Sequence, residues 1–149
     1  MHCGRCRVLG VYCLALVLAV PTLATAEQAR LMFSELYKSV GILGLKFSDK
    51  VQGLAGRPIV MRGYMAPPLK PEADFFVMTK EPVSLCPFCQ SDADWPSDIV
   101  VVYLQKGMSL VSNTEPIEVT GTLEVGSKAD QRTGFVSLIR IVDARVRRI

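Results

Sequence analysis

Hydrophobic positions change their spacing twice along this 149-residue chain. The first pattern is a run, almost wholly apolar from Val8 to Val20, that follows Arg5 and Arg7 and ends at Ala24-Thr25-Ala26. A basic start, an apolar stretch and a small-residue A-x-A site together describe a secretory signal peptide, so residues 1–26 are expected to be removed and the mature chain to begin near Glu27. The run is shorter than the ~20 residues that span a bilayer, and no later segment is long and apolar enough to do so. No cysteine lies just after the cleavage site, which argues against a lipid anchor. The expected destination is a bacterial periplasm or the outside of the cell.

The second pattern has helical spacing. Leu31, Met32, Leu36 and Val40 recur with Glu35 and Lys38 between them, which predicts one amphipathic N-terminal helix from Glu27 to about Val40. Gly41 and Gly44 interrupt it. Phe47, Val51 and Leu54 then predict a second short turn of helix that opens at Ser48-Asp49 and stops at Gly53 or Gly56.

Beyond Pro58 the pattern changes to alternation or to short apolar runs separated by turn residues. Strands are predicted at Ile59 to Met65, Phe75 to Thr79, Ile99 to Leu104, Ile117 to Val125 and Phe135 to Val146. Alternation from Ile117 to Val125 puts Ile117, Val119, Gly121, Leu123 and Val125 on a buried face and Glu118, Thr120, Thr122 and Glu124 on a wet one. The last strand alternates less cleanly, with Leu138, Val142 and Val146 on one side and Ile139, Ile141, Asp143 and Arg145 on the other, which suggests a long, sharply coiled strand. Gly63 and Gly121 fall where a small barrel must bend. The expected fold is therefore mainly β: a small five-stranded OB-like antiparallel barrel over residues 57–149, preceded by the helical segment 27–56, the two forming one domain. A β-sandwich is the alternative, for which the strands are one or two too few.

Removing the leader changes the chemistry available. It takes His2, Cys3, Cys6 and Cys13, so the mature chain holds no histidine and two cysteines, Cys86 and Cys89. The 17 basic side chains lose Arg5 and Arg7, leaving 15 against 14 acidic ones, too near balance for phosphate-backbone binding. No nucleic-acid partner is expected.

Both cysteines lie in Ser84-Leu-Cys-Pro-Phe-Cys-Gln-Ser-Asp-Ala-Asp-Trp95, inside a connection of nearly twenty residues. So long a loop in a compact barrel is usually functional or specially braced. Three chemistries are open to it. A Cys-x-x-Cys supplies two soft thiolates on one turn, and a metal site would be completed by Asp92, Asp94 or Glu81 for zinc, by Met65 or Met78 for cuprous copper, or by a second subunit. An oxidising compartment favours a local Cys86–Cys89 disulfide. A thiol-disulfide oxidoreductase would use Cys86 as nucleophile, but the pair does not open a helix directly after a strand and Pro96 cuts any helix short.

Tyr64, Phe88, Trp95 and Tyr103 form a candidate binding face, with Trp95 equally suited to packing the long loop onto the barrel. Arg140, Arg145, Arg147 and Arg148 read as a charged strand edge and tail. No nucleophile-elbow, P-loop, dinucleotide or zinc-protease motif is present, and without histidine the commonest general base is missing. The chemistry points away from an enzyme.

The segment from Gly56 to Leu104, with "GYMAPPLKPEADFFVMT", "CPFC" and "WPSDIVVVYL", resembles a family of small secreted bacterial proteins of uncharacterised function with an OB-like barrel. That resemblance implies a periplasmic accessory protein whose partner is a periplasmic or membrane transport protein for metals. It also implies that the cysteine loop is a specialisation, since related barrels carry a proline-rich segment there. It supplies no catalytic residues. The expected function is a periplasmic binding module handling zinc, copper or thiol state through Cys86 and Cys89. The alternatives are a structural or protein-interaction module with a permanent disulfide, and the oxidoreductase. The oligomeric state is left open, because two chains pooling four thiolates would complete a tetrahedral site.

Overall fold

The computed structural model describes residues 28–41, 44–67, 74–83, 95–107 and 115–149. The predicted signal peptide lies outside these residues, as do residues 68–73. Among the described residues no helix is long and apolar enough to cross a membrane.

The chain is mainly β. Its strands are β1 (Ala29–Arg30), β2 (Tyr37–Gly41), β3 (Gly44–Phe47), β4 (Pro58–Met65), β5 (Phe75–Thr79), β6 (Ile99–Leu104), β7 (Pro116–Ala129) and β8 (Val136–Arg148). A 3-10 turn, Phe33–Glu35, follows β1, and one short helix, α1 (Asp49–Leu54), follows β3. The last five strands form where alternation or short apolar runs predict them, to within a few residues at each end. Their apolar side chains, Ile59, Met61, Val100, Val102, Ile117, Val119, Leu123, Ile139 and Ile141, are withdrawn from solvent into one core. Each such burial contributes about 1.5–3 kcal/mol before its entropy cost.

Pairing runs from strand to strand and returns to its origin. β4 pairs β5, β5 pairs β6, and β8 pairs β7, all antiparallel; β6 pairs β8 parallel; and β7 pairs β4 antiparallel from Pro58↔Thr122 to Tyr64↔Pro116. β4 and β5 share only two rows, Tyr64↔Thr79 and Met65↔Met78. With β7 along the opposite edge of β4, the stretch of β4 that β5 leaves open would expose unpaired backbone, which buried strands do not tolerate. β1 fills it, parallel, at Ala29↔Ile59 and Arg30↔Val60, and the Leu31 amide donates to the Val60 carbonyl at 3.0 Å.

That role corrects the expected N-terminal helix. Residues 29–41 are strand, 3-10 turn and strand instead. The helical stripe fails at the side chains: Leu31 and Leu36 are buried, but Met32, which the stripe counted, is 53% exposed, and Phe33, which it omitted, is in the core. Backbone demand from β4 outweighs a periodicity of four residues. The Gly41 and Gly44 that were expected to end a helix instead face each other across the β2–β3 hairpin. The second predicted helix forms where its cap is. The Ser48 hydroxyl accepts from the Val51 amide at 3.1 Å and donates to the Glu35 carbonyl at 2.6 Å, and α1 buries Val51 and Leu54.

β7 and β8 both depart from the faces predicted for them. The far face of β7 is not uniformly wet: Glu118 is buried between Arg62 and Arg147 on the flanking strands, both at 2.8 Å. In β8 the buried apolar residues are Ile139 and Ile141, then Ala144, because an extra residue is inserted at Asp143, whose φ is +50°. The register shows the insertion against both neighbours, from Thr120↔Arg145 to Thr122↔Val142 on β7 and from Val102↔Ile141 to Leu104↔Ala144 on β6. This β-bulge explains the imperfect period of the last strand.

Candidate functional site

The sequence-predicted site divides between what is described and what is not. Cys86, Phe88, Cys89, Asp92 and Asp94 lie outside the described residues. Both ends of their segment are described. The β5–β6 pairing continues one row beyond the strands, with the Lys80 amide donating to the Asp98 carbonyl at 3.2 Å. The Thr79 hydroxyl is held by the Glu81 carbonyl at 2.7 Å and the Tyr64 carbonyl at 3.3 Å. At the far end Trp95 is 5% exposed and its indole N–H donates to the Tyr37 hydroxyl at 3.0 Å.

Trp95 belongs to a line of rings. Tyr37 stacks on Phe47 at 5.3 Å between centroids; Trp95 meets Phe135 edge-on at 6.3 Å; Phe135 meets Phe75 at 5.3 Å; and Phe75 meets Tyr103, its cross-strand partner, at 5.3 Å. Such contacts contribute about 0.5–1.5 kcal/mol each beyond the area they bury. β5 is buried at all five positions, so both of its faces are covered. Burial pushes the Tyr37 hydroxyl up to about 12, an effect the Trp95 hydrogen bond partly offsets.

The line ends at the β7–β8 turn. Tyr103 donates to Asp130 Oδ2 at 3.1 Å, while Asp130 Oδ1 accepts from the Thr133 hydroxyl at 2.8 Å, the Thr133 amide at 2.9 Å and the Arg132 amide at 3.2 Å. Burial raises the Asp130 carboxyl, but these donors outweigh it and hold the group below its ordinary range. Burial first, and then the Asp130 charge, push Tyr103 up to about 12. An open groove of about 560 Å³ lies beside this turn, between Tyr103, Lys128, Arg132 and Asp143.

Of the four expected binding-face aromatics, Trp95 and Tyr103 are thus joined through Phe75 and Phe135. Tyr64 is on β4, opposite Thr79 and Pro116. Met65 is in the core, opposite Met78. Among the described residues no group of three or more histidine, cysteine, aspartate or glutamate side chains is placed to hold a metal ion. Tyr37, Phe47, Phe75 and Phe135 are the ring participants that sequence reasoning did not place at the site. Tyr37 was hidden inside the expected helix; the run from Asp130 to Gly134 is a turn signature that would have set Phe135 beside it.

Buried Arg140, 4% exposed, is structural. Its Nε donates to Glu124 at 2.8 Å, and its Nη1 reaches the Gly126 and Ser137 carbonyls and the Ser137 hydroxyl at 3.0–3.1 Å. It is no exposed edge charge, which corrects the expectation for that member of the arginine group. A second groove, of about 310 Å³, lies between β1, the 3-10 turn and β4 and is lined by Arg30, Leu31, Met32, Phe33, Arg62 and Lys80 among others.

No protein-family model matches the chain, and no curated protein does. Among solved structures it is similar to the crystal structure of a DUF3299 family protein from Pseudomonas aeruginosa PAO1, with a TM-score of 0.52 and 16% identity over 82% of this chain and 96% of that one. At that identity the likeness is one of fold.

Proposed function

We propose that the ring of pairings is an OB-like barrel and that the protein is an exported, non-catalytic accessory module which binds a soft metal ion, zinc or cuprous copper, through Cys86 and Cys89. The order of pairing, first strand to second to third to fifth to fourth and back to the first, with third and fifth parallel, supports the barrel. The leader-like N-terminus supports export. One observation carries the binding role: the segment bearing both cysteines begins and ends at fixed points, the Lys80–Asp98 backbone bond and the Trp95–Tyr37 hydrogen bond. A loop held at both ends by a packed scaffold is the usual setting of a binding element. Two thiolates leave a tetrahedral ion two ligands short: carboxylates of the same segment can complete a zinc site, whereas cuprous copper calls for soft ligands such as the thiolates of a second chain.

The test is native mass spectrometry of the exported protein purified without chelator or reductant, followed by denaturation in an alkylating agent. The metal reading expects a metal adduct on one chain or two and both cysteines alkylated, with the adduct lost in Cys86→Ser. An unalkylated pair two protons light, with no adduct, rejects it in favour of a disulfide. The reduction potential then separates a permanent staple from an oxidoreductase couple.

A further inference from the structure

We infer that the groove between β1, the 3-10 turn and β4 is a docking surface for an acidic, extended segment of a partner protein. It deepens the accessory role just proposed by giving it a partner-facing surface, and it does not depend on the cysteines.

The charge is local. Without its leader the chain is almost balanced, yet the described residues lining this groove include Arg30, Arg62 and Lys80 and no acid. Arg62 shares Glu118 with Arg147, two cations on one carboxylate, so that cluster keeps a net positive charge. Lys80 lies 3.7 Å from Glu81 with both side chains well exposed, a pair that contributes little and releases its lysine readily. Arg30 is exposed.

The groove also offers apolar contact and an open strand. Met32 and Ile149 are the large hydrophobic side chains left exposed among the described residues, and Met32 lines this groove. Methionine adapts to varied partners, which suits a recognition surface. β1 stands at the end of the strand order with β4 as its neighbour. Because the Leu31 amide points to Val60, the peptide groups of Arg30 on alternate sides point away from β4, where an extended segment can pair. The Met32 amide is already taken by Glu35 at 2.9 Å, so the usable edge is short and the cations supply most of the attraction. A membrane surface fits less well, since one methionine beside the cations gives little to insert.

The experiment uses the full mature protein with its cysteines alkylated and chelator present, so that failure of the metal reading leaves it untouched. A fluorescent peptide of alternating glutamate and leucine is titrated by anisotropy, alongside vesicles of phosphatidylglycerol. The expected result is saturable peptide binding, weakened about tenfold by Arg30→Glu with Lys80→Glu, weakened several-fold by Met32→Ser, and unchanged by Arg57→Glu with Lys106→Glu, an equal charge change elsewhere. Matched melting temperatures establish that each variant is folded. Equal weakening by both charge-reversed pairs, or binding to vesicles and not to peptide, overturns the proposal.

Discussion

Gly121 shows what a single residue must supply to this fold. A Cβ built there would lie 2.7 Å from Ile141 Cγ2, 2.7 Å from the Val142 carbonyl and 3.1 Å from the Ala144 Cα. Two of those three atoms are backbone of the β8 bulge, which cannot rotate aside. Asp143 takes the left-handed φ of +50° within that bulge, a conformation aspartate tolerates better than most residues. The close approach and the bulge are one device, since the strand crosses nearest to β7 where β7 has no side chain. Gly121→Ala is therefore expected to destabilise the protein by about 1–3 kcal/mol, read as a lower urea midpoint. Asp143→Ala on the exposed side of the same bulge is expected to cost less.

At the scale of elements, the chain before Pro58 contains both the largest error of sequence reading and one of its successes. The expected amphipathic helix lost to strand β1 because an unfilled edge of β4 demanded hydrogen bonds. Helical α1 formed as read because its signal is chemical and local: a serine at the cap, two buried apolar residues one turn apart, and Gly56 at φ +75° beyond its end. Ser48 also ties the helix to the 3-10 turn through the Glu35 carbonyl, so Ser48→Ala removes two bonds. A loss of about 1–2 kcal/mol is expected in equilibrium unfolding, at the upper end for a cap. Ser48→Asp should recover the accepting half alone and lie between the two.

Whole-molecule behaviour is carried by groups that tie distant strands together. Glu118 is held below the ordinary carboxylate range by the hydrogen bond from Arg62 and then by Arg147, and Glu124 by the hydrogen bond from Arg140. Glu35, bonded by Lys50 and the Met32 amide, and Asp130 are lowered as well. A lowered folded pKa adds stability above the unfolded value, so this contribution is complete at neutral pH and is lost as pH falls from about 4 downward. Tyr37 and Tyr103 have the opposite sign. Raised to about 12, they add stability below the unfolded value of about 10 that is lost as pH climbs through 12. Urea midpoints are expected to be flat between these limits and to fall on both sides. Tyr37→Phe should soften the alkaline fall while leaving the acid one unchanged, because it removes one of the two half-buried phenols whose pKa is raised.

By itself the sequence determined the elements whose signals are local. Five strands follow from alternation or short apolar runs bounded by turn residues, and α1 follows from its cap. Tertiary structure alone decided what depends on neighbours far along the chain. Residues 29–30 are strand because β4 had an open edge, Glu118 is buried because arginines flank it on two strands, and Trp95 packs edge-on against Phe135 while its indole N–H donates to the Tyr37 hydroxyl. The physical reason is the same in each case: periodicity reports which side of an element is apolar, but the partner that satisfies its backbone and its charges is chosen only when the strands close around one core.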